Sequence, residues 1–138
     1  MSVRFVDNRA TVFATFDRKL EAFMEESKDS LSSQASRNTK RVTGQLADSF
    51  TTDSLVEMGN DVATAYIGSS LEYSIYYELG TGEYALNGNG RLGGWVYRDP
   101  ATGKFYRTRG QTPKRPVYRA FMQKKEKIKQ RAMEIFSD

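Results

Sequence analysis

The chain of 138 residues is 38% hydrophobic and 28% charged, carries a formal charge of +4, and has neither cysteine nor histidine. This length fits one domain that buries roughly two-thirds of its unfolded surface. The two missing residue types remove disulfides, thiolate metal ligands, the commonest zinc ligand and the commonest general base, so an enzyme would need unusual machinery.

No run approaches the ~18 apolar residues of a membrane span. Met1-Ser2-Val3-Arg4 leads into no apolar segment of signal-peptide type. A soluble globular domain without a membrane partner is therefore expected. Asp7 or Asn8 is placed to cap a helix over about residues 8–30. There Val12, Phe13, Phe16, Leu20, Phe23, Met24 and Leu31 recur at steps of three and four. Such a helix is roughly 35 Å long, and a sheet is the expected partner for its apolar face. Residues 30–41 are polar and lose the period, so the helix should end there. In "VTGQLADSF" (42–50), Thr43 can cap a short helical turn that presents Leu46 and Phe50.

Two β-like runs follow, 54–58 and 62–68, joined by Gly59-Asn60-Asp61, a connection that favours a hairpin. "SSLEYSIYYELG" (69–80) alternates like a strand. Yet Ser69 and Glu72 spell a capping box, Leu71, Ile75 and Leu79 stack at steps of four, and Gly80 stands where a helix terminates. These signals favour a helix. Residues 80–94 hold 6 glycines in 15 positions and should be mobile in the isolated protein, because they bury too little to offset their ordering entropy. The stretch 95–109 is the clearest hairpin, with Pro100 and Gly103 in its turn. Pro116 then opens a C-terminal helix with Val117, Phe121, Ile128, Ala132 and Ile135 on one side and Lys124, Lys125, Lys127, Lys129 and Arg131 on the other.

The glycine-rich segment contains Gly88-Asn89-Gly90-Arg91-Leu92-Gly93, the spelling of a dinucleotide fingerprint. That loop works only between a strand and a helix whose N-terminal amides face the pyrophosphate. Here Gly94-Trp95-Val96-Tyr97 begins a strand instead, and no Gly-Lys-Ser/Thr ends the run, so no nucleotide cradle is read. Glu72 and Glu78 could form an acid–base pair, but a spacing of six puts them on different faces of a helix. No catalytic, metal-binding or cofactor-binding residue is assigned. Trp95, Tyr97, Phe105 and Tyr106, with Arg91 beside them, either cover their own sheet or form a protein interface.

Residues 1–100 carry a net −4 and residues 101–138 a net +8. Arg107, Arg109, Lys114 and Arg115 follow the aromatics in a pattern that could face DNA or an acidic partner. A small nucleic-acid-binding protein using this basic quarter is the alternative reading. The charge run serves equally as a solvated helix face.

Three segments carry a family resemblance. "VTGQLADSF", with Thr43, Gly44 and Leu46, resembles a "TG-x-L-x-x-S" motif. "YSIYYELGTG" (73–82), with Tyr73, Tyr77, Glu78, Gly80, Thr81 and Gly82, resembles "YA-x-YVE-x-GT". "TPKRPVYRAF" (112–121), with Pro116 and Ala120, resembles a proline–aromatic–proline–alanine helix opening. In this order and spacing, over residues 8–136, they are similar to the HK97-type minor tail or tail-completion proteins of long-tailed bacteriophages. Ser74 and Val117-Tyr118 depart from the pattern, and the 95–109 hairpin is an elaboration. The resemblance implies a virion structural protein of the neck or tail, assembled in the host cytoplasm as a ring of its own subunits. It would join a head-closure or connector protein to a tail terminator or tube protein, with transient contact to genomic DNA and no catalysis. The expected fold is one α+β domain: an N-terminal and a C-terminal helix on an antiparallel sheet of about four strands. Residues 83–110 are expected to form a glycine-rich arm and hairpin extension that reaches a neighbouring subunit.

Overall fold

The computed structural model describes residues 7–41, 44–60 and 62–137. In chain order the elements are α1 (Arg9–Arg37), α2 (Gln45–Asp53), β1 (Leu55–Met58), β2 (Ala63–Tyr66), α3 (Ser74–Leu79), one 3-10 turn (Gly82–Tyr84), β3 (Trp95–Arg98), β4 (Phe105–Thr108) and α4 (Pro116–Phe136). The expected α+β class holds, with long helices at the two ends and antiparallel pairs between them. Thr43, proposed as the cap of α2, lies outside the described residues, as does Asp61 of the first hairpin turn. Gly44 takes the N-cap position of α2 with φ 83°.

The single sheet of about four strands is corrected by two separate two-stranded hairpins. Leu55 pairs with Tyr66 and Met58 with Ala63 in the first, and Trp95 with Thr108 and Arg98 with Phe105 in the second. Between the hairpins the chain forms α3 and the glycine-rich turns. α3 packs toward α4, whereas the first hairpin packs on α1. α1 also packs along α4 and against α2, so its partner is mostly helical.

α1 runs seven residues past the point where its apolar period fades, and this extension is its most buried part. Ser32, Ala35 and Ser36 are buried there, beside Thr39 just beyond the helix. Small side chains let helices approach closely, and the hydroxyls are satisfied locally. Thr39 Oγ1 donates to the Ala35 carbonyl at 2.8 Å, and Ser32 Oγ to that of Asp29 at 3.4 Å. Hydrophobic periodicity marks large apolar faces, so it passes over a face built from serine and alanine. The core is correspondingly small: Ala35, Leu46, Phe50 and Ala120, with Leu71, Tyr77 and Val117 packed against it.

The capping box of Ser69 and Glu72 does not form. Ser69 Oγ instead accepts from the Leu71 N–H at 3.1 Å and sits 2.6 Å from Ser49 Oγ, and α3 begins only at Ser74 without a side-chain cap. Gly80 terminates α3 as expected, at φ 82°, with its N–H donating to the Tyr76 carbonyl at 2.8 Å. On α4, Ala120 is fully buried and Ile128, Ala132 and Ile135 are half-buried, but Phe121 points outward. The methyl of Ala120 fits the crossing with the core; a phenyl ring there would not. At the far end, Phe136 meets Phe23 edge-on and Phe16 at a tilt, both at 5.6 Å, and Arg131 pairs with Glu26 at 3.0 Å.

Two outcomes follow. Ala120→Leu should lower stability by about 1–3 kcal/mol through overpacking, read as a lower urea midpoint with unchanged slope; an unchanged midpoint would contradict so tight a core. Asp53 accepts from the Ser70 N–H and Oγ at 2.9 and 2.8 Å, which holds its carboxyl below the ordinary value of 3.8. A depressed folded value stabilises the fold above that ordinary value and loses the contribution as pH falls through the folded one. Asp53→Asn should therefore flatten the decline in melting temperature below about pH 4, and an unaltered profile would refute this.

Candidate functional site

Tyr77 and Glu78 of the second motif segment meet the third at the N-terminus of α4, above a core that Leu46 of the first shares with Ala120. A helix that starts at Pro116 loses one orphan amide to the proline ring, leaving Val117 and Tyr118 as free donors of its first turn. Both donate to one carboxylate: the Val117 N–H to Glu78 Oε2 and the Tyr118 N–H to Glu78 Oε1, each at 3.0 Å. The negative charge also complements the helix dipole. Glu78 is thus a cap from a distant helix, and its two oxygens are occupied by backbone amides, which leaves no acid–base pair with Glu72.

Tyr77 clamps the same junction from both ends. Its hydroxyl accepts from the Lys40 N–H at 3.0 Å and its carbonyl accepts from the Lys114 N–H at 2.9 Å. Two further residues complete the bridge: Asn38, which the sequence did not mark, and Arg119, one of the basic residues that follow the aromatics. Asn38 Nδ2 donates to the Pro116 carbonyl at 3.2 Å, and Arg119 Nη2 donates to the Asn38 carbonyl at 2.9 Å. Arg115, at φ 50°, lays its guanidinium 3.7 Å over the Tyr118 ring. Leu46 and Ala120 lie in the core beneath, while Tyr73 remains largely exposed.

The segment expected to be mobile is tied to its own chain by backbone bonds. Thr81 and Gln111 bond reciprocally: the Thr81 N–H donates to the Gln111 carbonyl at 2.9 Å, and the Gln111 N–H to Thr81 Oγ1 at 2.8 Å. The Glu83 N–H reaches the Arg109 carbonyl at 2.9 Å. A side chain on Gly82 would overlap the Arg109 carbonyl, and one on Gly110 the Thr81 carbonyl. Glycine here allows two backbones to touch, so the segment is held without burying apolar side chains.

Beyond this crossing, the backbone of the second hairpin lies away from α1, α4 and the first hairpin, and Trp95 is its approach to α3. Tyr97 and Tyr106 face each other across it, with ring centroids 5.9 Å apart, and Arg91 lies 5.7 Å over Trp95. Trp95 is half-buried beside Ile75, Tyr76 and Leu79 in a cleft of about 520 Å³, whereas Val96, Phe105 and Arg107 are exposed. The basic candidates divide: Arg107 and Arg109 belong to the hairpin, Lys114 and Arg115 to the approach to α4.

A second apolar surface carried no sequence signal of its own. Val12, Phe13, Phe16 and Leu20 of α1 face Met58 and Val62 of the first hairpin across a groove of about 800 Å³. Their helical period was visible, but not that the helix extends past its partners here. A compact monomer of 15.7 kDa exposes ~7,300 Å², whereas this chain exposes 10387 Å². Among the described residues, no helix is long and apolar enough to cross a membrane and no cluster of acidic side chains is arranged to hold a metal. No protein-family model, curated protein or solved structure matches the chain.

Glu78→Ala should cost about 1–3 kcal/mol by orphaning both α4 amides, and Glu78→Gln less, because one carbonyl oxygen remains. Thermal unfolding reads both; equal losses, or none, would contradict the capping role.

Proposed function

We propose that this chain is a structural subunit of a bacteriophage neck, a tail-completion protein that joins the head connector to the tail as a closed ring. The observation that carries the reading is the surface the isolated chain leaves uncovered. Its excess over a compact monomer is roughly 3,000 Å², and a stable interface takes about 800 Å² from each partner. Each subunit of a ring has two neighbours, and a neck ring also has a partner above and below. That demand is of the size of this excess.

The motif residues support the same reading by their work. Tyr77, Glu78, Gly80, Thr81, Gly82, Pro116 and Ala120 build a rigid junction, so they are scaffold rather than chemistry. From that junction the aromatic hairpin projects as an element for partners. The ring would sit in the virion between a head-closure protein and the tail terminator or tube, after assembly in the host cytoplasm, and its basic residues could meet passing DNA or an acidic neighbour.

Light scattering on the purified protein tests this, alone and with the head-closure or tail-terminator protein encoded beside it. A ring-sized mass, or a monomer captured into a ring-sized complex, is expected. A monomer that ignores both proteins, yet binds DNA with a log–log salt slope near −0.9 per phosphate contacted, would overturn the proposal in favour of a nucleic-acid-binding role.

A further inference from the structure

The second hairpin and the groove along α1 are complementary in both shape class and charge. Directly paired residues share a sheet face and successive residues alternate, so the register puts Val96, Arg98, Phe105 and Arg107 on one face. On that face Val96 stands opposite Arg107 and Phe105 opposite Arg98, so apolar and basic side chains alternate. Residues 91–110 hold five basic side chains and one acidic. The groove offers the converse: Val12, Phe13, Phe16, Met58 and Val62 with Asp17 and Glu21 one turn apart on its wall. Among the described residues, Arg18 is the one cation lining it, and it donates to Thr15 Oγ1 at 3.4 Å. Among the described residues, Asp17, Glu21, Arg98, Lys104 and Arg107 form no ion pair, although other charges of the chain do.

Within one chain the two surfaces do not meet. An isolated two-stranded hairpin is only marginally stable in water, and an apolar groove of this size between exposed aromatics marks an interaction site. We infer that the face of the hairpin formed by Val96, Arg98, Phe105 and Arg107 seats in the α1 groove of a second copy of this chain, with the arginines against Asp17 and Glu21. The inference rests on the reading of the chain as an assembly subunit and specifies how the copies join. Hairpin and groove are different surfaces, so each copy gives one and receives one. Run head to tail, such a contact builds a ring or a filament; exchanged reciprocally between two copies, it closes a two-fold dimer. The contact charges also make it sensitive to salt.

The absence of cysteine makes the test direct. Phe13 and Phe105 are 64% and 71% exposed, so Phe13→Cys and Phe105→Cys leave the core intact. The two single variants are mixed under oxidation, with Phe105→Cys plus Phe121→Cys as the collision control. Docking raises the local thiol concentration toward millimolar, so the crossed disulfide should exceed the control on the order of tenfold or more. A chain carrying both cysteines should give a ladder of covalent multimers. Arg98→Glu with Arg107→Glu should abolish the excess, and Asp17→Arg with Glu21→Arg in the partner copy should restore it. A concentration-independent internal disulfide would overturn the inference, because the hairpin would then occupy its own groove. No excess over the control would overturn it too. A ring-sized mass of the unaltered protein would in that case leave the assembly reading standing, and a mass that stays monomeric with every neck partner would remove both.

Discussion

The junction of α1, α3 and α4 depends on one carboxylate at the start of one helix. Glu78 serves the two free amides of the first turn of α4, and in doing so fixes the angle between α3 and α4. Pro116 removes the third amide that would otherwise need a partner. Tyr77, one residue earlier, fastens the end of α1 to the same place through Lys40. Gly80 then turns the chain so that Thr81 and Gly82 can cross Arg109 and Gln111. Five of the six residues from Tyr77 to Gly82 therefore hold α1, α4 and both strands of the glycine crossing. The bonds involved are mostly backbone amides to a charged or carbonyl acceptor, individually modest but costly to leave unmade when half-buried.

This arrangement explains how so small a core supports so extended a molecule. The buried apolar residues are few, and three of them are alanines. Polar junctions supply the definition that apolar burial does not. The consequence is a division of labour along the chain. Large apolar residues, which in most domains fill the interior, stand outside on the first half of α1, on the second hairpin and on the outer face of α4. Surface of that extent and kind is normally covered by another protein, which is the physical basis for reading the chain as a subunit.

Much of this was legible in the sequence and the rest was hidden for identifiable reasons. The start of α1, the turn presenting Leu46 and Phe50, both hairpins, the stop at Gly80 and the opening of α4 at Pro116 each carry a local signal, and each is found. The continuation of α1 through Ser32 and Ala35 was not legible, because small residues bury by close approach and leave no hydrophobic period. Ser69 and Glu72 matched a capping box, yet Ser69 turned to Ser49, a partner 20 residues away. The expectation of one sheet failed for a similar reason: strand signals say where hairpins form, not whether two hairpins join. Glu78 stood out as a motif residue, but its target 39 residues on did not. Asn38 gave no signal and Arg119 stood out only as one of a basic set, since their work here exists only once α1 and α4 meet.

The account holds that the junction around Glu78 is complete in the free chain while the hairpin and the first half of α1 are finished only by neighbours. Amide hydrogen exchange on dilute and on assembled protein separates these two parts. The account predicts that the amides of Lys114, Val117 and Tyr118 are protected in both states, while those of residues 95–108 and 12–21 gain protection only on assembly. A hairpin equally protected in dilute monomer, or unchanged on assembly, would contradict it.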